Sequence, residues 1–184
     1  MTDIASRQED REKAAADVLE ANRAVGRRIA VAESCTGGMI SAALTDVAGC
    51  SDIFSAGFVT YCGDAKHRQL DVSNEILETF GEVSPATAWA MAAGALANSD
   101  ADVAVAVTGI AGPGGGSEKK PVGMVVFARA LRGQNPDDYF TQRVQFEGGD
   151  RAANRHAATL FALNLLQPAG DSLRPSDDIS LPAP

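Results

Sequence analysis

Ser34, Cys35 and Thr36 stand in a row behind an acid and ahead of two glycines, in the segment Glu33–Gly38 (ESCTGG). An apolar run precedes the segment and another follows it, so it reads as a loop leaving a strand and entering a helix. Backbone N–H groups in such a loop point at one spot and suit an anion or a developing oxyanion. Gly37 and Gly38 let a ligand approach the backbone closely. Cys35, Thr36, Gly37 and Gly38 are therefore the candidate oxyanion or phosphate donors, with Ser34 the candidate nucleophile. The same residue types also cap helices, which is the alternative role for Ser34 or Thr36. No Lys follows the glycines, so the loop is not a Walker motif.

A second loop, Thr60–Lys66 (TYCGDAK), ends on one of only four lysines, the others being Lys13, Lys119 and Lys120. A lysine in a partly desolvated pocket can shed its proton and act as a base. Paired with a serine it would activate the hydroxyl. Tyr61 could donate a hydrogen bond to either group. Spacing alone does not bring Ser34 to Lys66; the pairing requires that the two preceding strands be neighbours. A solvated surface lysine is the other reading.

Two further segments suit a ligand. Thr108–Gly116 (TGIAGPGGG) leaves a buried strand, with Thr108 at its head and Gly109, Gly112, Gly114 and Gly115 as candidate substrate contacts. It is a ligand cradle or a flexible connector, and it lacks the GxGxxG spacing of a dinucleotide fingerprint. In Gly148–Arg155 (GGDRAANR), Arg151 and Arg155 share a helix face and could grip a phosphate or carboxylate, or pair with nearby acids. His67 and His156 are isolated, and no Cys/His spacing suggests a metal site.

The elements that must position these loops follow from hydrophobic periodicity. Helices are expected over Arg7–Val25, Met39–Asp46, Ala65–Leu70, Ser73–Phe80, Ser84–Asn98 and Arg151–Leu166. Ser73 and Asp150 are the expected N-caps, and Ser84-Pro85 opens the alanine-rich helix. Strands are expected over Arg28–Ala32, Ile53–Tyr61, Asp102–Val107, Val122–Leu131 and Tyr139–Phe146, the last two as an antiparallel hairpin. The pattern gives a single α/β domain over residues 1–167, with a mixed sheet flanked by helices. Residues 168–184 carry four prolines among Ser and Asp and are expected to form a tail that is disordered or loosely laid on the surface.

The 184 residues carry a net charge of -8, which argues against a nucleic-acid-binding surface. No apolar run spans a bilayer and the charged start is not a secretory signal. Three cysteines, Cys35, Cys50 and Cys62, suit a reducing compartment, and the expected location is cytoplasmic. The alanine-rich helix is a candidate face for packing against a second copy, as a homo-oligomer.

Taken in order, AESCTGG (Ala32–Gly38), GFVTYCGDAK (Gly57–Lys66), VSPATA (Val83–Ala88), VTGIAGPGGGSEKKPVG (Val107–Gly123) and GDRAANR (Gly149–Arg155) resemble the C-terminal domain family of the competence/damage-inducible protein CinA. The resemblance runs from about Leu19 to Leu166. It implies a three-layer α/β sandwich. It also implies hydrolysis of the carboxamide of nicotinamide mononucleotide to nicotinate mononucleotide and ammonia, with no cofactor or metal. By the same resemblance Ser34 is the nucleophile, Lys66 its base, Tyr61 and Thr108 polar residues of the reaction centre, and the glycine loop and Arg151 the nucleotide-holding positions. Larger family members carry a separate N-terminal domain; only a helical lead precedes Arg28 here, so that domain's activity is expected to be absent. Two alternatives remain: a thiolate mechanism through Cys35 with help from His67, and a nucleotide-binding regulator without turnover, linked to competence or DNA damage.

Overall fold

The structure, a computed structural model, describes residues 2–147 and 149–173. A five-stranded sheet runs in the order β2-β1-β3-β4-β5. Its strands are β1 (Ile29–Glu33), β2 (Phe54–Val59), β3 (Val103–Gly109), β4 (Met124–Leu131) and β5 (Phe140–Gln145). β1 lies parallel to both β2 and β3, while β4 runs antiparallel to β3 and β5. The two strands on which the Ser34–Lys66 pairing depends are thus neighbours, and the expected hairpin is present.

Side chains alternate across the sheet and sort by size. Ile29, Val31, Val103, Val105 and Val107 face a layer made of α1 (Thr2–Ala24), α2 (Met39–Thr45) and α6 (Arg151–Leu165). Ala30, Ala32, Ala104 and Ala106 face the opposite layer of α3 (Gly63–Leu70), α4 (Asn74–Phe80) and α5 (Pro85–Ala97). Each buried Val, Leu, Ile or Phe contributes roughly 1.5–3 kcal/mol. Small residues on the second face let α5 lie close to the sheet, and Gly94 lets it lie close to the end of α3, where a Cβ would stand 2.0 Å from the Leu70 carbonyl oxygen. Ser84 and Asp150 cap α5 and α6 by accepting from the N–H of Thr87 and Ala153, and Ser73 caps α4.

Two expectations change. The alanine-rich helix proposed for contact with a second copy turns its alanines inward, with Ala88, Ala90, Met91, Ala92, Ala95 and Leu96 buried within the chain. Residues 168–173, read as the start of a loose tail, pack on the domain. Pro168–Ser172 forms a short 3-10 helix, Gly170 is buried, and Asp171 pairs with both Arg27 and Arg129. The rest of the expected tail, residues 174–184, lies outside the described residues. No described helix is long and apolar enough to cross a membrane.

The connection from β1 to β2 runs through α2 on one face. The connection from β2 to β3 runs through α3–α5 on the other. The two crossovers part at the C-terminal end of β1, and such a switch point leaves a crevice beyond the strand ends. The three loops singled out above leave the C-terminal ends of β1, β2 and β3 and meet there.

Candidate active site

Ser34 is the first residue past β1, and its N–H continues the ladder to Val107 O at 2.9 Å. Next to it, Thr60 N–H donates to Glu33 O at 2.8 Å. The turn that follows needs its glycines: Gly37 and Gly38 have φ of 60° and 90°, a region that side-chain-bearing residues enter only under strain.

Glu33, a residue the sequence reading passed over, holds this turn from beneath. It is fully buried. Its carboxylate accepts from Gly38 N (2.9 Å), Ile40 N (3.2 Å), Ser41 N (2.8 Å) and Ser41 Oγ (2.7 Å). It therefore saturates the N-terminus of α2, the place where an external anion was expected. Gly37 N–H is likewise engaged, by Ser34 O at 3.0 Å. Of the four expected oxyanion donors, Gly37 and Gly38 are thus already bonded. The N–H groups of Cys35 and Thr36 make no hydrogen bond to another described residue.

Lys66 lies on the first turns of α3, completely buried. Its Nζ is 3.1 Å from Ser34 Oγ, 3.0 Å from Thr60 O and 3.4 Å from Glu82 Oε2. Burial drives its pKa below the ordinary 10.5, and the Glu82 carboxylate opposes that shift. The amine donates to Thr60 O, Ser34 Oγ and the Glu82 carboxylate, and loss of one proton would free a lone pair facing the Ser34 hydroxyl. Glu82 is the second group that sequence reasoning missed. It sits in the connector ahead of Ser84, where an isolated acid carries no pattern. Glu33 left a fainter signal, as a charge ending an otherwise apolar strand.

Thr108 and Tyr61 both line a cavity with Ser34, while their hydroxyls bond to groups other than Ser34 and Lys66. Thr108 is buried, and its hydroxyl donates to Glu82 O at 2.8 Å, fixing the backbone that carries the carboxylate. Tyr61 is 57% exposed. Its hydroxyl accepts from Arg151 Nη2 at 2.8 Å, and no described hydrogen bond joins it to Ser34 or Lys66. Arg151 Nη1 also donates to Gly112 O at 2.8 Å, so one guanidinium ties the β2 loop to the glycine loop. Asn154, one turn on, anchors that loop through Ala111 O at 3.1 Å.

The thiol alternative loses its support. Burial pushes the Cys35 thiol up to about 11, so it is protonated at neutral pH. The His67 ring meets Val72 O at 2.9 Å, and no described hydrogen bond links it to Cys35.

These groups surround a cavity of about 230 Å³ lined by Ser34, Tyr61, Glu82, Thr108, Gly109, Gly112, Gly114, Gly115 and Arg151, among others. A second cavity of about 640 Å³ adjoins it, sharing Ala111 and Arg151 and bounded by Asp150 and Arg155 at the start of α6. Arg155 Nη2 donates to Thr36 O at 2.6 Å, so it too braces the turn after Ser34. Among the described residues no group of three His, Cys, Asp or Glu side chains is placed to hold a metal ion.

Residues 11–169 match the family model described as the CinA C-terminal domain. The chain is 47% identical over 150 residues to a nicotinamide-nucleotide amidohydrolase, PncC, of Escherichia coli strain K12, covering 81% of this chain and 88% of that one. It is 49% identical over 144 residues to a CinA-like protein of Mycolicibacterium gilvum, covering 78% of this chain but 33% of that one. It thus spans about a third of the length of the CinA-like relatives it matches. Among solved structures, a competence/damage-inducible protein CihA of Agrobacterium tumefaciens superposes with a TM-score of 0.81 at 46% identity, covering 85% of this chain and 93% of that one.

Proposed function

The chain belongs to the CinA C-terminal domain family, and from that premise we propose that it is a cytoplasmic nicotinamide-nucleotide amidohydrolase. It would convert nicotinamide mononucleotide and water to nicotinate mononucleotide and ammonia. The observation that carries the reading is the buried Lys66 Nζ at 3.1 Å from Ser34 Oγ, at the edge of a cavity. The similar Escherichia coli protein bears the name of this activity.

Ser34 Oγ attacks the carboxamide carbon while the neutral Lys66 amine takes the hydroxyl proton. The N–H groups of Cys35 and Thr36 receive the developing oxyanion. Lys66 passes its proton to the departing nitrogen, which leaves as ammonia, and the acyl group stays on Ser34 as an ester. Water, deprotonated by the same amine, attacks that ester; the bond to Ser34 Oγ breaks, Lys66 returns the proton to Oγ, and the carboxylate is released. Glu33 holds the nucleophile turn, and Thr108 holds Glu82 beside Lys66. Arg151, on the boundary of the two cavities, anchors the phosphate away from the bond that breaks. Reduced thiols at Cys35, Cys50 and Cys62 suit the cytoplasm.

The test is ammonia release from purified protein given nicotinamide mononucleotide, with Ser34→Ala in parallel. Release by the parent and a loss of about 10³-fold or more in the variant is expected for removal of a nucleophile. Binding of the nucleotide by the parent without ammonia release would overturn the proposal and leave a regulator in its place.

A further inference from the structure

Among the residues lining the 230 Å³ cavity, Glu82 is the one carboxylate and Arg151 the one guanidinium. The Glu82 side chain is 49% exposed while Lys66 is completely covered. Its carboxylate thus touches the buried amine through Oε2 and remains open toward the cavity. Its position is fixed from both sides, by Thr108 Oγ1 on its carbonyl and by the Ser84 cap that starts α5 two residues later. In the acyl-transfer steps the carboxylate only helps to orient the Lys66 amine, a task it shares with Thr60 O and Ser34 Oγ.

The reading that follows rests on the amidohydrolase proposal. With the scissile carboxamide at Ser34, the ring that bears it must lie in this cavity. In a ribosylated nicotinamide that ring is a pyridinium with a full positive charge. We infer that Glu82 is a specificity-determining residue, whose carboxylate reads the positive charge on the ring carrying the amide. Arg151 at the other boundary suits the phosphate, so the cavity pairs an acid with the cationic end of the ligand and a base with the anionic end.

A bound cation also acts on Lys66. Glu82 is the largest contributor among the groups that favour its ammonium form against burial. A pyridinium sharing that carboxylate weakens the support and leaves more of the amine neutral, as the attack on the amide requires. The other titratable groups facing Lys66 are the thiols of Cys62 and Cys35. On the Glu82 side, Lys120 Nζ donates to the backbone two residues before Glu82, at Phe80 O, 3.1 Å away.

The experiment measures binding to Ser34→Ala protein, which holds ligand without turnover. The probes are nicotinamide mononucleotide and its reduced dihydro form, which keeps the ribose, phosphate and carboxamide and nearly the same size but is neutral in the ring. Adding Glu82→Gln is expected to weaken the cationic probe about tenfold and the neutral probe less than about twofold, as loss of one charge contact predicts. Glu82→Asp, which keeps the charge, retains the preference. Equal weakening of both probes, loss of the preference in Glu82→Asp, or no measurable binding of the cationic probe overturns the inference. Ammonia release by the parent protein is a separate arm, and its absence overturns the amidohydrolase reading whatever the binding ratio.

Discussion

Replacing Lys66 by Met separates the chemical contribution of the amine from its structural one. Methionine keeps an unbranched, flexible stem, so the fully buried site stays filled. The substitution removes the donor that reaches Thr60 O at 3.0 Å, and an unpaired buried acceptor costs about 1–3 kcal/mol. It also removes a desolvated amine and returns the half-exposed Glu82 to water, which offsets a comparable amount. Stability is therefore expected to stay within about 2 kcal/mol of the parent, while ammonia release falls by about 10²–10⁴ through loss of the base. The sign of the pH dependence follows from the same residue. Its folded pKa lies below the ordinary 10.5, so between those two values the unfolded chain binds the extra proton. Parent stability then rises with pH across that window, and the Met variant lacks the rise. Urea midpoints against pH for both proteins, with ammonia release at neutral pH, test this. A variant that keeps more than a tenth of parental activity refutes the assignment of Lys66 as base.

Glu33→Gln leaves one acceptor oxygen where two had received four donors. A loss of about 3 kcal/mol in urea unfolding is expected, with a fall in kcat larger than any change in KM, because the nucleophile turn loosens. Asp171→Asn removes the charge shared by the buried guanidiniums of Arg27 and Arg129. It is expected to lower stability by about 2 kcal/mol, trimmed by the partial exposure of Asp171, and to leave turnover intact. Burial raises the Asp171 pKa, but hydrogen bonds from the two arginines outweigh it and hold the value below 3.8. The contribution of this carboxylate is thus present above pH 3.8 and disappears as pH falls through the depressed value, which acid titration of the unfolding midpoint checks.

Much of the site was legible because it is local. Loops rich in small residues ending apolar strands marked ESCTGG, TYCGDAK and TGIAGPGGG, and the three strand ends bring them together. Ser73, Ser84 and Asp150 announced their helices because a cap is read over three residues. What escaped depends on contacts remote in sequence. Glu82 meets Lys66 only once α3 and α4 have folded back and returned the connector ahead of α5 to the start of α3. Asp171 reaches Arg27 across 144 residues, so in the sequence it looked like one more acid in a proline-rich end. Tyr61 and Thr108 were marked as reaction-centre groups by the family resemblance; their hydroxyl partners, Arg151 and the Glu82 carbonyl, belong to other parts of the chain and leave no local signal. Glu33 was passed over for another reason: a carboxylate that caps the next helix from below looks, in one dimension, like the first member of the loop above it.

The close seating of α5 has a consequence for how distant substitutions reach the cavity. Gly94 meets the Leu70 backbone, and the alanines beside it rest on the alanines of the sheet. The helix height is thus set by two smooth surfaces pressed together, and its first turn begins at Ser84, next but one to Glu82. A methyl group added along that seam lifts the helix as a wedge lifts a lever. The far end of the lever is the carboxylate beside Lys66, so crowding at Gly94 would show itself in turnover as well as in folding.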